Sequence, residues 1–127
     1  MDPLVVVHII TAVALVALAL VVGVWGLARS RAIASGGDAR ESRLFAQILQ
    51  LSHTLVVAVG LIGIALYAEG HRPDDPLHIR VYGPFMLVAI VAAYGYRTKD
   101  ACLNVRVFAI ASLVIVALGL RALTTGG

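Results

Sequence analysis

The sequence is poor in most of what soluble chemistry uses. One cysteine, Cys102, excludes an intrachain disulfide and any multi-thiolate zinc or iron–sulfur centre within one chain. Charged residues make up only 13% of the 127 residues, against about 25% in an ordinary globular domain. All seven acids (Asp2, Asp38, Glu41, Glu69, Asp74, Asp75 and Asp100) fall outside the central apolar runs. Without a mid-membrane carboxylate there is nothing to bind a cation or couple protons in the manner of a small multidrug transporter. The same lack removes paired-carboxylate hydrolysis and di-iron chemistry, and no Gly-rich phosphate loop or nucleophilic serine motif is present. The ten basic residues sit in connections and at helix ends rather than in a patch, which argues against nucleic-acid binding.

What fills the chain instead is apolar residues, 61% of the total, with a mean hydropathy of +0.97. Such a composition describes an integral membrane protein in contact with the lipid bilayer. Four runs reach bilayer length or nearly so: about 4–27, 44–68, 79–96 and 101–123. The first lacks a basic leader and is longer than the apolar core of a signal peptide, so it is expected to remain as a spanning helix. Gly23 and Gly26, with Ala12, Ala14, Ala17 and Ala19, allow a neighbouring helix to come close. In the connection Arg29–Arg43, Ser35, Gly36 and Gly37 break helical continuity, and Asp38 is suited to cap the second spanning helix; the whole is expected to be a loop flanked by helix ends. Two prolines in EGHRPDDP prevent helix between the second and third runs. Pro84, early in the third, is either a first-turn residue or the cause of a kink. In the last, Arg106 and Arg121 stand about 21 Å apart at helical rise and must snorkel toward headgroups. Short connections make one all-α antiparallel four-helix bundle the simplest architecture, a single domain over residues 1–127.

Basic residues give the orientation. Arg29, Arg31, Arg40, Arg43, Arg97, Lys99 and Arg106 lie on one side and Arg72, Arg80 and Arg121 on the other, which predicts cytoplasmic first and third connections and both termini outside.

Histidines carry the functional question. His53 lies around the middle of the second run, and with Gln47, Gln50 and Thr54 it falls in one arc of about 120° at 100° per residue. Polar groups sharing a face at bilayer depth are expected to point into the bundle. An imidazole there can ligate haem iron, hydrogen-bond a quinone oxygen or relay a proton; equally, it can bridge helices as a neutral group, with Gln50 and Gln47 completing a structural network. At helical rise His53 is about 22 Å from the outer end of its helix and His8 about 6 Å, so the two cannot share one iron. His78, just before the third run, is expected at the level of His8, and any histidine pair is most simply these two. His71 falls in the loop. Tyr94, Tyr96 and Trp25 match an inner aromatic belt, Tyr82 an outer one. Cys102 is placed at the cytoplasmic end of the fourth run.

The stretches VVVHIITAVALVALALVVGVWGLARSR, LSHTLVVAVGLIGIALY and YGPFMLVAIVAAYGYR resemble small four-helix bacterial membrane proteins of the cytochrome-b-like type. That resemblance implies a multi-pass protein of the bacterial inner membrane with haem b and a role in electron transport. His8 matches a histidine early in the family's first helix. Where the family's third helix opens on His-Pro and ends near Ala-His, this chain has Gly83-Pro84 and Ala93-Tyr94, so that a second ligand would be His78 or come from another chain. Two functions of different class remain. One is a b-type cytochrome-like or quinone-interacting protein, its interior lined by Gln50, His53 and Tyr94, with His8 and His78 toward the outside holding haem iron. The other is a non-catalytic accessory subunit of a larger membrane complex, or a homo-oligomer, packing small-residue faces on its neighbours. Neither predicts an independent catalytic activity.

Overall fold

The computed structural model describes residues 2–126. Five α-helices succeed one another, α1 (Pro3–Ala28), α2 (Ser30–Ser35), α3 (Ala39–Ala68), α4 (Gly83–Gly95) and α5 (Ala101–Thr125), with a π-helical turn at His78–Tyr82 and no strand among the described residues. Four segments are long and apolar enough to cross a bilayer: α1, α3, the run His78–Gly95, and α5. They pack together as a bundle, and the chain is a multi-pass membrane protein by their length and composition.

Each start has a local cause. Asp2 Oδ1 accepts the Leu4 N–H at 2.8 Å with Pro3 opening α1, where a missing N–H costs nothing. Asp38 Oδ1 accepts from Arg40 and Glu41, starting α3 several residues ahead of its apolar run, and Asp100 Oδ1 does the same for α5 through Leu103. Gly36, at φ 68°, ends α2 in the left-handed conformation that a side chain would disfavour. The connection Arg29–Arg43 is therefore not all loop. Ser30–Ser35 coils into one and a half turns because Ile33, 6% exposed, drops into the core beside Phe45.

The third span also differs from a continuous helix over 79–96. Proline at 84 has no N–H and its ring crowds the carbonyl four residues back. The chain answers with the wider π turn, closed by the Gly83 N–H to the His78 carbonyl, and only then enters α4.

α1 is the centre of the bundle, packing along α5 most extensively and along α3 next; α4 leans chiefly on α5 and touches α3 little. Close approach of α1 and α5 depends on glycine. A Cβ at Gly26 would stand 2.8 Å from Ala109 Cβ, one at Gly23 2.6 Å from Leu113 Cγ, and one at Gly119 2.6 Å from Val16 Cγ2. Two apolar layers fill the interior: Val22, Ile33, Phe45, Leu49, Ala93 and Phe108 in one, and Leu15, Ala19, Val56, Met86 and Ile115 in the other. Outside, Ile10, Leu61, Ile64 and Val91 are more than half exposed, as lipid-facing side chains are.

Candidate functional site

One end of the bundle gathers both termini and the 69–77 connection. His71 Nε2 lies 3.5 Å from Asp2 Oδ2 and 3.9 Å from Glu69 Oε2, an exposed cluster tying the first residues to the loop. Just inside, His8 of α1 meets His78 of the π turn, their ring centroids 6.2 Å apart and edge to face. Residues 70 apart in the chain are thus brought to one level, and both are half-buried. His8 rests on α3 where that helix has no side chain, since a Cβ at Gly63 would lie 3.3 Å from its Cε1. Its Nδ1 is buried without a hydrogen-bond partner.

His78 is held differently. Its Nδ1 lies 3.3 Å from Thr125 Oγ1, which itself donates to the Arg121 carbonyl at 2.9 Å. A hydroxyl has one proton, and Thr125 has committed it, so the His78 Nδ1–H donates to Thr125. Nε2 of a neutral His78 then carries the lone pair. That is the tautomer in which a histidine ligates metal, fixed by a partner on the other nitrogen.

His53 is in a separate place. From Gly63, against which His8 sits, ten residues of α3 amount to about 15 Å. Its ring lies edge to face with Tyr94 of α4 at 5.8 Å and tilted against Phe108 of α5 at 6.1 Å, with Tyr94 and Phe108 themselves 4.9 Å apart. Both of its ring nitrogens are buried and neither has a hydrogen-bond partner. A neutral imidazole carries one N–H donor and one acceptor, so His53 leaves both capacities unused in an apolar surround.

The expected polar face does not turn inward as a whole. Gln47, Gln50 and Thr54 are exposed on the side of α3 away from the core, and of the four only His53 reaches neighbouring helices. The inward arc is taken by Phe45, Leu49, Ser52 and Val56. Among the described residues no hydrogen bond joins either glutamine to His53; Thr54 donates to the Gln50 carbonyl of its own helix. Tyr94 is 46% exposed at the weakly closed α3–α4 seam, with its ring applied to the His53 side.

At the opposite end Trp25 is more than an interfacial ring. Its Nε1 donates to Glu41 Oε2 at 3.0 Å while Arg29 forks onto both Glu41 oxygens at 3.0 and 2.9 Å, and the indole packs edge to face on Phe45. Glu41 precedes the apolar run of α3, and the Arg29 guanidinium and then the Trp25 indole hold its carboxyl down to about 2. Arg106 Nε donates to the buried Ser30 Oγ at 3.1 Å, so this arginine is tied to α2 at the bundle end rather than loose among headgroups. Phe108, Gly63 and Thr125 complete the two histidine surroundings, and no polar pattern in the sequence marks the first two.

Comparison with family models, with curated proteins and with solved structures returns no match.

Proposed function

We propose that this chain is a small electron-transfer component of the bacterial inner membrane, of the cytochrome-b-like type, with both termini outside. His8 and His78 are the residues that would hold a b-type haem. The observation that carries this is the convergence of two imidazoles from distant segments at one level of a membrane bundle. The two rings lie 6.2 Å apart, centroid to centroid and edge to face, so both imidazoles are within reach of one bound group and would be the residues to hold it. The donor chemistry also fits, since Thr125 leaves the His78 Nε2 lone pair free and His8 Nδ1 has no other partner.

Bound there, haem iron supplies a one-electron couple. The chain's own part is to orient and to exclude water: Thr125 fixes the His78 ring, and Gly63 admits the His8 ring against the α3 backbone. His53 serves the same function at another depth, as the hydrogen-bond donor for a quinone carbonyl, with Tyr94 and Phe108 offering ring faces; Gln50, exposed on the outer side of α3, takes no part.

Absorption spectra of the purified protein, oxidised and then reduced with dithionite, test this directly. A Soret band that sharpens on reduction is expected, lost in His8→Leu and in His78→Leu and kept in His53→Leu. Protein with neither a Soret band nor extractable quinone refutes it. For the orientation, Ser35→Cys in a Cys102→Ser background is expected not to react with an impermeant thiol reagent in intact cells; labelling there reverses the topology.

The outward Gln47, Gln50 and Thr54 favour a second function class, a non-catalytic accessory subunit of a larger complex or a homo-oligomer. Amide side chains facing lipid at bilayer depth are costly, and another helix laid on this face supplies their hydrogen bonds. A stable monodisperse monomer in lipid nanodiscs counts against it.

A further inference from the structure

We propose that the cavity formed by Tyr67, Arg72, Pro73, Pro76, Ile79 and Arg80 binds the phosphate-bearing headgroup of an anionic phospholipid. It has a volume of about 270 Å³ and opens where α3 ends and the chain turns back toward α4. Ends of spanning helices lie at headgroup depth, so a cleft here meets lipid phosphates without any chain motion.

Its chemistry is that of an anion site with an apolar floor. Arg72 is held in place before any ligand arrives. Its Nη1 donates to the Tyr67 carbonyl at 2.7 Å and to the His71 carbonyl at 3.2 Å, while its Cζ lies 3.6 Å from the centre of the Tyr67 ring. A guanidinium has five N–H donors, and those not spent on carbonyls present the planar fork that phosphate oxygens match. Arg80 brings a second cation to the same cavity and forms no salt bridge among the described residues. No acid lines the space. Of the nearby carboxylates, Asp75 Oδ1 accepts the Leu77 N–H, Glu69 and Asp2 face His71, and Asp74 is exposed outside the lining. Pro73, Pro76 and Ile79 give the glycerol and first methylenes an apolar wall.

A lipid is favoured over a free anion because cationic rim and apolar wall occur together, the pattern of basic clefts between spanning helices that hold lipid headgroups. The proposal is independent of the histidines, and its test leaves them untouched.

The experiment is native mass spectrometry of the purified full chain titrated with dioleoyl phosphatidylglycerol or dioleoyl phosphatidylcholine. Retention of one phosphatidylglycerol is expected at a concentration at least about fivefold below that needed for phosphatidylcholine, with Arg80→Gln raising it about tenfold. Arg72→Gln does the same; should it disturb the loop, Arg72→Lys, which keeps the charge and loses the fork, gives an intermediate loss. Inorganic phosphate at millimolar concentration is expected not to displace the lipid. Equal retention of both lipids, indifference to the Arg80 substitution, or displacement by phosphate alone each overturns the proposal, the last by making this a free-anion site.

Discussion

Gly26 is where an added methyl would meet a carbon that cannot turn aside, and substituting alanine there gives the most direct test of the packing. A Cβ at this position would stand 2.8 Å from Ala109 Cβ on α5 and 3.2 Å from Cε2 and Cζ of Phe45 on α3, against the 3.5–4.0 Å of carbon atoms at rest. Ala109 has no rotamer to yield, so helices must part. Overpacking of this kind costs about 1–3 kcal/mol, from which the helix preference of alanine over glycine returns about 1 kcal/mol. Gly26→Ala should therefore lose up to about 2 kcal/mol. Gly23→Ala is the control, because its new methyl meets chiefly the Leu113 side chain, which can turn aside; it should come out near zero. Ala109→Gly removes the clashing carbon, and in a double-mutant cycle with Gly26→Ala it should recover about 1 kcal/mol. Reversible unfolding in mixed micelles, tracked by the fluorescence of the single tryptophan Trp25, measures the wild type and all four variants. Should Gly26→Ala be no less stable than Gly23→Ala, or should Ala109→Gly give no relief, the α1–α5 contact is not as close as described.

Other outcomes depend on particular side chains. Glu41, held at about 2 rather than its ordinary 4.5, contributes stability in full above the ordinary value, and that contribution fades as pH falls through about 2. Trp25 fluorescence should accordingly stay flat from pH 7 to 4 and change only near 2; Glu41→Gln should abolish that low-pH step, and a step centred near 4.5 in the wild type would contradict the clasp. Ser52 and Ser112 are fully buried, with hydroxyls that have no partner, so Ser52→Ala and Ser112→Ala should be neutral or stabilising by about 1 kcal/mol in the same unfolding assay. Thr125→Val removes the acceptor for His78 Nδ1, and nitrogen-15 spectra of labelled histidine should lose the fixed Nδ1–H tautomer at that residue alone.

Much of this architecture was readable from hydropathy, because in lipid the length of an apolar run nearly dictates a helix. The breaks were readable too: Gly36 takes a positive φ and Asp38 caps α3, as their chemistry demands. Proximity of His8 to His78 was legible in helical rise and the position of the turn. The facing of α3 was not. Periodicity places Gln47, Gln50, His53 and Thr54 relative to one another, but which arc meets the core depends on what α1 and α5 offer. Phe45 and Val56 fit there and the glutamines do not. Nor does spacing reveal that Phe108 would pack on His53, since an apolar residue in an apolar run carries no mark of its neighbour.

The most extensive contact in the molecule joins its first spanning helix to its last. During synthesis α1 enters the bilayer with nothing opposite Gly23 and Gly26, and waits until α2, α3 and α4 have been made before Ala109 and Leu113 of α5 arrive to close that surface. Closure of this seam is therefore governed by release of α5 into the bilayer, and a chain cut short before α5 leaves a membrane-inserted fragment with its central seam open.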